Sequence, residues 1–202
     1  MTHQEIADQI KGAKEKIFLI YAFNATGKTR LSVAYKDATK DKDGKHTGVY
    51  YNAFSEDIFV WDNDTANGEA SIRLLVTESS LNRFHGDIKE PDVRKKLEPY
   101  KPKYDFFFNQ YADPEKGIEY ITFFIKGDEG KPIKISRGEE RIFVWCFFLA
   151  LFEAEGWADT HDQHFFIDDP VSSLDDHNIF ITAATILDLI DAHFAKRKLI
   201  IT

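Results

Sequence analysis

The sequence has very little sulfur. Cys146 is its only cysteine, which rules out an intrachain disulfide and suits a reducing compartment. That cysteine sits inside the apolar run FVWCFFLALF, where a buried, inert thiol is expected. Long hydrophobic runs are also missing. The most apolar one, Ile142 to Phe152, is too short to span a bilayer and is flanked by Glu139, Glu140, Arg141 and Glu153. The opening MTHQEIADQIKGAKEK lacks a signal-peptide core. Nor is there an excess of positive charge: 26 Lys and Arg against 34 Asp and Glu leave a net charge of −8, which argues against wholesale, non-specific nucleic-acid binding. No internal repeat appears, and residues 30 to 135 hold no sustained heptads. These absences predict a cytoplasmic globular protein with no membrane partner.

What is present is bulky core material. Apolar residues make up 43% of the chain, including 18 Phe, 8 Tyr and 3 Trp, enough for one domain of 202 residues. Ile17 to Tyr21 reads as a buried strand and Gly27 to Lys36 as the helix after it. GVYYNAF, EDIFVW, YDFFFNQY and IEYITFFIKG read as strands, with GDEGKP as a hairpin turn. Residues 63 to 103 read as helices and loops. Glu139 to Glu155 and Asp176 to Phe194 read as helices, HFFIDD as a buried strand ending in acids, and KLIIT as a final strand. Strand–loop–helix at the start and strand–helix–strand at the end imply an α/β fold with a mainly parallel core sheet. An antiparallel β lobe, at about 45–135, is expected to be inserted into it.

Three motifs carry chemistry. The stretch AFNATGKT matches G-x-x-x-x-G-K-[ST] except that Ala22 replaces the first glycine. A loop of this kind turns backbone N–H groups toward phosphate at a helix N-terminus, its lysine reaches the terminal phosphates, and its hydroxyl ligates Mg²⁺. Gly27, Lys28 and Thr29 fit those parts. FFIDDPVSSLD delivers two carboxylates from the end of an apolar strand: Asp168 suits the metal's water shell and Asp169 the positioning of an attacking water. KISRGEER opens the apolar helix, with Ser136 at an N-cap position and Glu139 three residues later, a capping box. Ser136 and Gly138 also make a second anion site at a helix start.

The order AFNATGKT, ISRGEE, FFIDDPVSSLD resembles the Walker A, signature, and Walker B with D-loop of ABC-type ATPases. IYAFNATGKTRLS, YYNAFSEDIFVWDND, IKISRGEE and FIDDPVSSLD further resemble the N-terminal NTPase region of the PrrC-type bacterial anticodon nucleases, from about residue 17 onward. The resemblance implies a P-loop NTPase, an ABC-ATPase-like head that binds ATP or GTP with Mg²⁺ and hydrolyses it slowly. Asn24, Ala25, Thr26, Gly27, Lys28, Thr29 and Arg30 would bind nucleotide, Thr29 and Asp168 the metal, and Lys28 and Asp169 would serve catalysis. Ser136, Arg137, Gly138 and Glu139 would meet the γ-phosphate held by a second copy, with Ser173 and Asp175 of the D-loop at the seam of a nucleotide-dependent homodimer. Similar proteins carry glycine where Ala25 stands, and a Cβ in a positive-φ turn costs on the order of 1 kcal/mol. Asp169 takes a slot usually held by glutamate and is one methylene shorter. KLIIT resembles the strand that leads into a switch histidine, and the chain stops at Thr202. The expectation is therefore a single NTPase head over 1–202, without the C-terminal nuclease domain that cleaves tRNA. A tRNA or a restriction-type protein partner would engage regions beyond it. Two rival readings stand: a DNA-repair ATPase head of the RecF or SMC kind, and a nucleotide-dependent scaffold that does not hydrolyse.

Other groupings carry less. Asn52, Asp62, Asn63 and Asp64 are candidates for the adenine-side or Q-loop contact, and Gln110 is a poorer one. Two histidines in HDQH at 161–164 read as solvated rather than as metal ligands. His46, His85, His177 and His193 show no partner pattern. VRKKLEPYKPK at 93–103 is the one basic stretch and reads as a solvated face.

Overall fold

A computed structural model describes residues 1–23, 26–44, 47–51, 57–79, 85–86, 88–154, 164–171, 174–193 and 195–202. Two compact units emerge: Met1–Phe54 with Ala158–Thr202, and Ser55–Trp157.

The first unit is built on a parallel sheet of β1 (Ile17–Leu19), β2 (Gly48–Tyr51), β8 (His164–Ile167) and β9 (Lys198–Ile201), in the order β1-β9-β8-β2. Val49 lies opposite Phe165, Phe165 opposite Leu199, and Leu199 opposite Ile17. The central strands are apolar on both faces. Phe165, Phe166, Ile167, Leu199 and Ile200 are all fully buried, as parallel strands covered on both sides must be. Helices α1 (His3–Gly12) and α2 (Lys28–Ala38) supply Ala7, Ile10, Leu31 and Tyr35 to a cluster with Tyr50, Phe166 and Ile200. A third helix of this unit, α5, runs from Asp176 to His193.

The second unit is an antiparallel sheet of β3 (Phe59–Asp62), β4 (Arg73–Val76), β5 (Tyr104–Gln110), β6 (Ile118–Ile125) and β7 (Asp128–Ile133), with helices α3 (Glu90–Leu97) and α4 (Arg137–Glu153). Strand order is β3-β4-β6-β5, and β7 also pairs with β6. The expected hairpin forms, but its turn is shorter than GDEGKP: Gly127, at φ +90°, lies in it, and Asp128 to Pro132 belong to β7. Every residue of α4 from Ile142 to Phe152 is buried. Its Phe143 ring meets Phe106 and Phe123 edge-on, with centroids 5.0 and 4.9 Å away, a favoured geometry for aromatic pairs.

The α/β class with one parallel and one antiparallel sheet is the expected one. Other elements differ in detail. Ile17 to Tyr21, read as a buried strand, is a strand only from Ile17 to Leu19, at the sheet edge, and Leu19 and Tyr21 are exposed. Gly48–Tyr51, read as part of the antiparallel lobe, instead pairs in parallel with β8. Arg73–Val76 lies in the stretch read as helix and loop, yet forms β4 because its alternate residues Leu74 and Val76 are buried. The polar N-terminus forms α1, where Thr2 and Glu5 make a reciprocal capping box and Ala7 and Ile10 face the core.

Candidate functional site

The turn after β1 narrows at Thr26, whose hydroxyl and N–H both donate to the Phe23 carbonyl, at 2.6 and 3.3 Å. Gly27 follows at φ +95° and ψ 24°, the left-handed conformation that glycine adopts without a Cβ penalty, and caps α2. Lys28 and Thr29 form the first turn of that helix and are partly buried, and Arg30 is exposed. The free N–H groups of this turn and the helix dipole favour an anion there. Among the described residues no acid is paired with the Lys28 amine.

Residues far apart in sequence converge on this turn. The Thr29 hydroxyl donates to Asp168 Oδ2 at 2.8 Å, and the Thr202 hydroxyl donates to Asp168 Oδ1 at 2.6 Å. Asp168 is only 5% exposed. Its backbone N–H bonds the Tyr51 carbonyl at 2.7 Å, so β2 fixes where β8 delivers the carboxylate. The next residue, Asp169, sits at φ +52°, a left-handed conformation that Asp tolerates better than most residues. Its N–H reaches the Thr202 carbonyl at 3.3 Å. Thr202 is the member of this group that the sequence did not mark: a threonine at a strand end carries no signal until strand order sets β9 beside β8.

The donor set can be tested against the metal. Thr29 and Asp168 are hard oxygen donors, the kind Mg²⁺ prefers. Among the described residues no cluster of three or more His, Cys, Asp or Glu side chains could hold a metal unaided. A cation here therefore needs oxygens from a phosphate and water, the usual situation of nucleotide-bound Mg²⁺.

In the second unit, Ser136, Arg137 and Gly138 are exposed at the head of α4. The capping box is formed: Glu139 N–H donates to Ser136 Oγ at 3.4 Å, and Ser136 N–H to Glu139 Oε2 at 2.9 Å. The Ser136 hydroxyl also donates to that carboxylate, at 2.7 Å. Nothing lies within 4 Å of the Cβ position at Gly138, so another surface could approach its backbone closely.

Asp175 has a local role. Its carboxylate accepts from Asn178 N–H at 3.0 Å and Asn178 Nδ2 at 2.7 Å at the start of α5. The backbone bond chiefly holds its carboxyl below the usual range. The Q-loop candidates are likewise locally engaged: Asp62 pairs with Arg73 at 3.1 Å, and Asp64 accepts from Asn67 and Ser71. Asn63 accepts from Lys134 at 2.8 Å. Asn24, Ala25, Ser173, Asn52, His46 and residues 161–163 of HDQH lie outside the described residues.

Among the described residues no helix is long and apolar enough to cross a membrane. These features define a class: an α/β chain whose parallel sheet carries a glycine-lysine-threonine turn onto a buried aspartate. No protein-family model matches the chain. It is 35% identical over 233 aligned residues to an anticodon nuclease of Escherichia coli, an alignment that takes in 99% of this chain and 57% of that protein. The chain thus spans little more than half the length of that relative. Among solved structures, it is 18% identical to an Smc head domain with a coiled coil and joint from Pyrococcus yayanosii, with a TM-score of 0.38, covering 60% of this chain and 22% of that one. An SmcHead bound to the C-winged helix domain of ScpA is 19% identical, also with a TM-score of 0.38, covering 61% of this chain and 36% of that one.

Proposed function

We propose that the chain is the nucleotide-binding head of an anticodon-nuclease-like protein, an ABC-type unit that binds ATP or GTP with Mg²⁺ and hydrolyses it slowly. The hydrogen bond from Thr29 to Asp168 carries this reading. It joins the phosphate-loop threonine to the acid after β8, 139 positions later, and a nucleotide-bound metal needs that hydroxyl and carboxylate side by side. In this reading Thr29 and Asp168 would hold Mg²⁺, which would supply charge neutralisation at the phosphates. Lys28 binds the terminal phosphates, and Asp169 orients the water. The similarity to an anticodon nuclease over nearly the whole of this chain supports the wider assignment. tRNA cleavage would belong to the part of that protein beyond the matched region.

The same reading includes a homodimer in which the exposed head of α4 from one copy closes over nucleotide held by the other. Ser136 would then exchange its bond to Glu139 for one to the γ-phosphate, and Arg137 would add positive charge at the seam.

Titration with fluorescent ATP and GTP analogues, with and without Mg²⁺, tests the site. Lys28→Ala is expected to weaken binding at least about tenfold, a loss of some 1.4 kcal/mol. Asp168→Asn should remove most of the Mg²⁺ dependence. Ser136→Arg should leave nucleotide bound but abolish pairing in light scattering. If Lys28→Ala binds like the wild type, the proposal fails.

A further inference from the structure

We infer that His3 is a built-in competitor for the phosphate cradle: its imidazole holds the place on Gly27 that a nucleotide's phosphate must take. The inference rests on the Gly27–Thr29 turn being the phosphate site, and adds a mode of regulation to it. A Cβ built on Gly27 would run into His3 Nε2 and would lie 3.0 Å from His3 Cε1 and 3.5 Å from Cδ2. Three ring atoms thus crowd one face of the glycine, at the head of α2. This is also where a phosphate loop needs glycine, so that an anion can come close to bare backbone. A ring and a phosphate cannot share that volume.

The histidine is delivered by a well-anchored helix. Thr2, its immediate neighbour, is the N-cap of α1 and is locked to Glu5 by bonds of 2.7 and 3.2 Å. At the other end, the buried Lys198 amine donates to the carbonyls of Ile10, Lys11 and Ala13, at 2.7, 3.1 and 2.9 Å. Lys11 reaches across to the last turn of α2, its amine 2.6 Å from the Ala38 carbonyl. Ala7 and Ile10 are buried between these ties. Helix α1 is therefore fastened to both β9 and α2, and the cheapest way to clear Gly27 is for the half-buried His3 side chain to rotate away. Occupancy by the ring lowers the fraction of molecules ready to bind. A ring in place nine times in ten would raise the apparent Kd about tenfold.

Two routes test this. In titrations with a Mg²⁺-bound fluorescent ATP analogue, His3→Ala should bind about tenfold more tightly than the wild type. His3→Trp, a bulkier occupant, should bind more weakly. Thr2→Ala, which loosens the first turn and leaves the ring intact, should give a smaller gain. Independently, Mg²⁺–pyrophosphate should shift the His3 ring resonances in ¹⁵N NMR of the wild-type chain, with the other six histidines moving less. Equal or weaker binding by His3→Ala, with Lys28→Ala still impaired, overturns the competitor and leaves the phosphate site standing. If Lys28→Ala binds like the wild type, both readings fall together.

Discussion

The Tyr35 hydroxyl lies 2.9 Å from Nδ1 of His164, and the two rings meet edge-on with centroids 5.4 Å apart. Tyr35 stands on α2, two turns beyond Lys28, and His164 begins β8, the strand that leads into Asp168. The contact sets the helix that carries the glycine-lysine-threonine turn against the strand that leads to the buried aspartate. Burial, with Tyr50 nearby, drives the Tyr35 pKa well above the usual phenol range, so the hydroxyl stays neutral at any working pH. Tyr35→Phe should cost about 1 kcal/mol in urea denaturation, the usual net worth of such a bond. An unchanged midpoint would mean that packing alone sets the helix.

Asp169 combines a left-handed backbone with a short carboxylate. Asn accepts that conformation as readily as Asp, so Asp169→Asn should keep nucleotide affinity and lose hydrolysis in a single-turnover assay. Asp169→Glu lengthens the side chain by one methylene and should hydrolyse faster than the wild type. A rate unchanged in both variants would exclude Asp169 from handling water.

His85 gives the fold an acid limit. It is fully buried, with Nδ1 accepting from Ile118 N–H at 3.4 Å, and its ring meets Phe147 edge-on. Burial lowers its pKa from 6.5 to about 4. Between those values the unfolded chain binds a proton that the folded chain refuses. The fold therefore keeps its full advantage above about pH 6.5 and loses it as the pH falls toward 4, by up to roughly 3 kcal/mol. Chemical denaturation at pH 7.5 and 4.5 should show this loss, and His85→Leu should reduce it. Equal pH dependence in both proteins would assign the acid sensitivity elsewhere.

Cys146 is buried, its thiol 3.4 Å from the Lys96 carbonyl, and burial raises its pKa well above the ordinary thiol value. Since the thiolate is the reactive form, iodoacetamide should leave the native protein unlabelled at pH 8 and modify it fully in denaturant. Rapid labelling of the native chain would show that α4 opens.

What the sequence made legible, and what it did not, follows from the range of each interaction. Local rules identified the glycine-lysine-threonine turn, the Ser136–Glu139 capping box and the apolar strand before Asp168, because each depends on neighbours within a few positions. They did not identify the partner of β2: periodicity labels GVYY a strand, but only the sheet says that it lies beside β8. Short alternation hid β4 inside a polar stretch. His3 and Thr202 escaped for the same reason, since each acquires its role from residues more than twenty positions away. The pairing of Asp62 with Arg73 could not be foreseen either, because it depends on the antiparallel register of β3 against β4.

The order β1-β9-β8-β2 also constrains how the polypeptide matures on the ribosome. Among the described residues, the strand from Ile17 to Leu19 pairs only with β9, and the strand from Gly48 to Tyr51 only with β8. Both therefore wait, with open edges, until residues 164–201 emerge, whereas the intervening antiparallel unit pairs within itself. Vectorial synthesis should complete that middle unit first and leave the N-terminal segment unsheltered longest. Chaperone occupancy during translation, and damage by early termination, should both concentrate there.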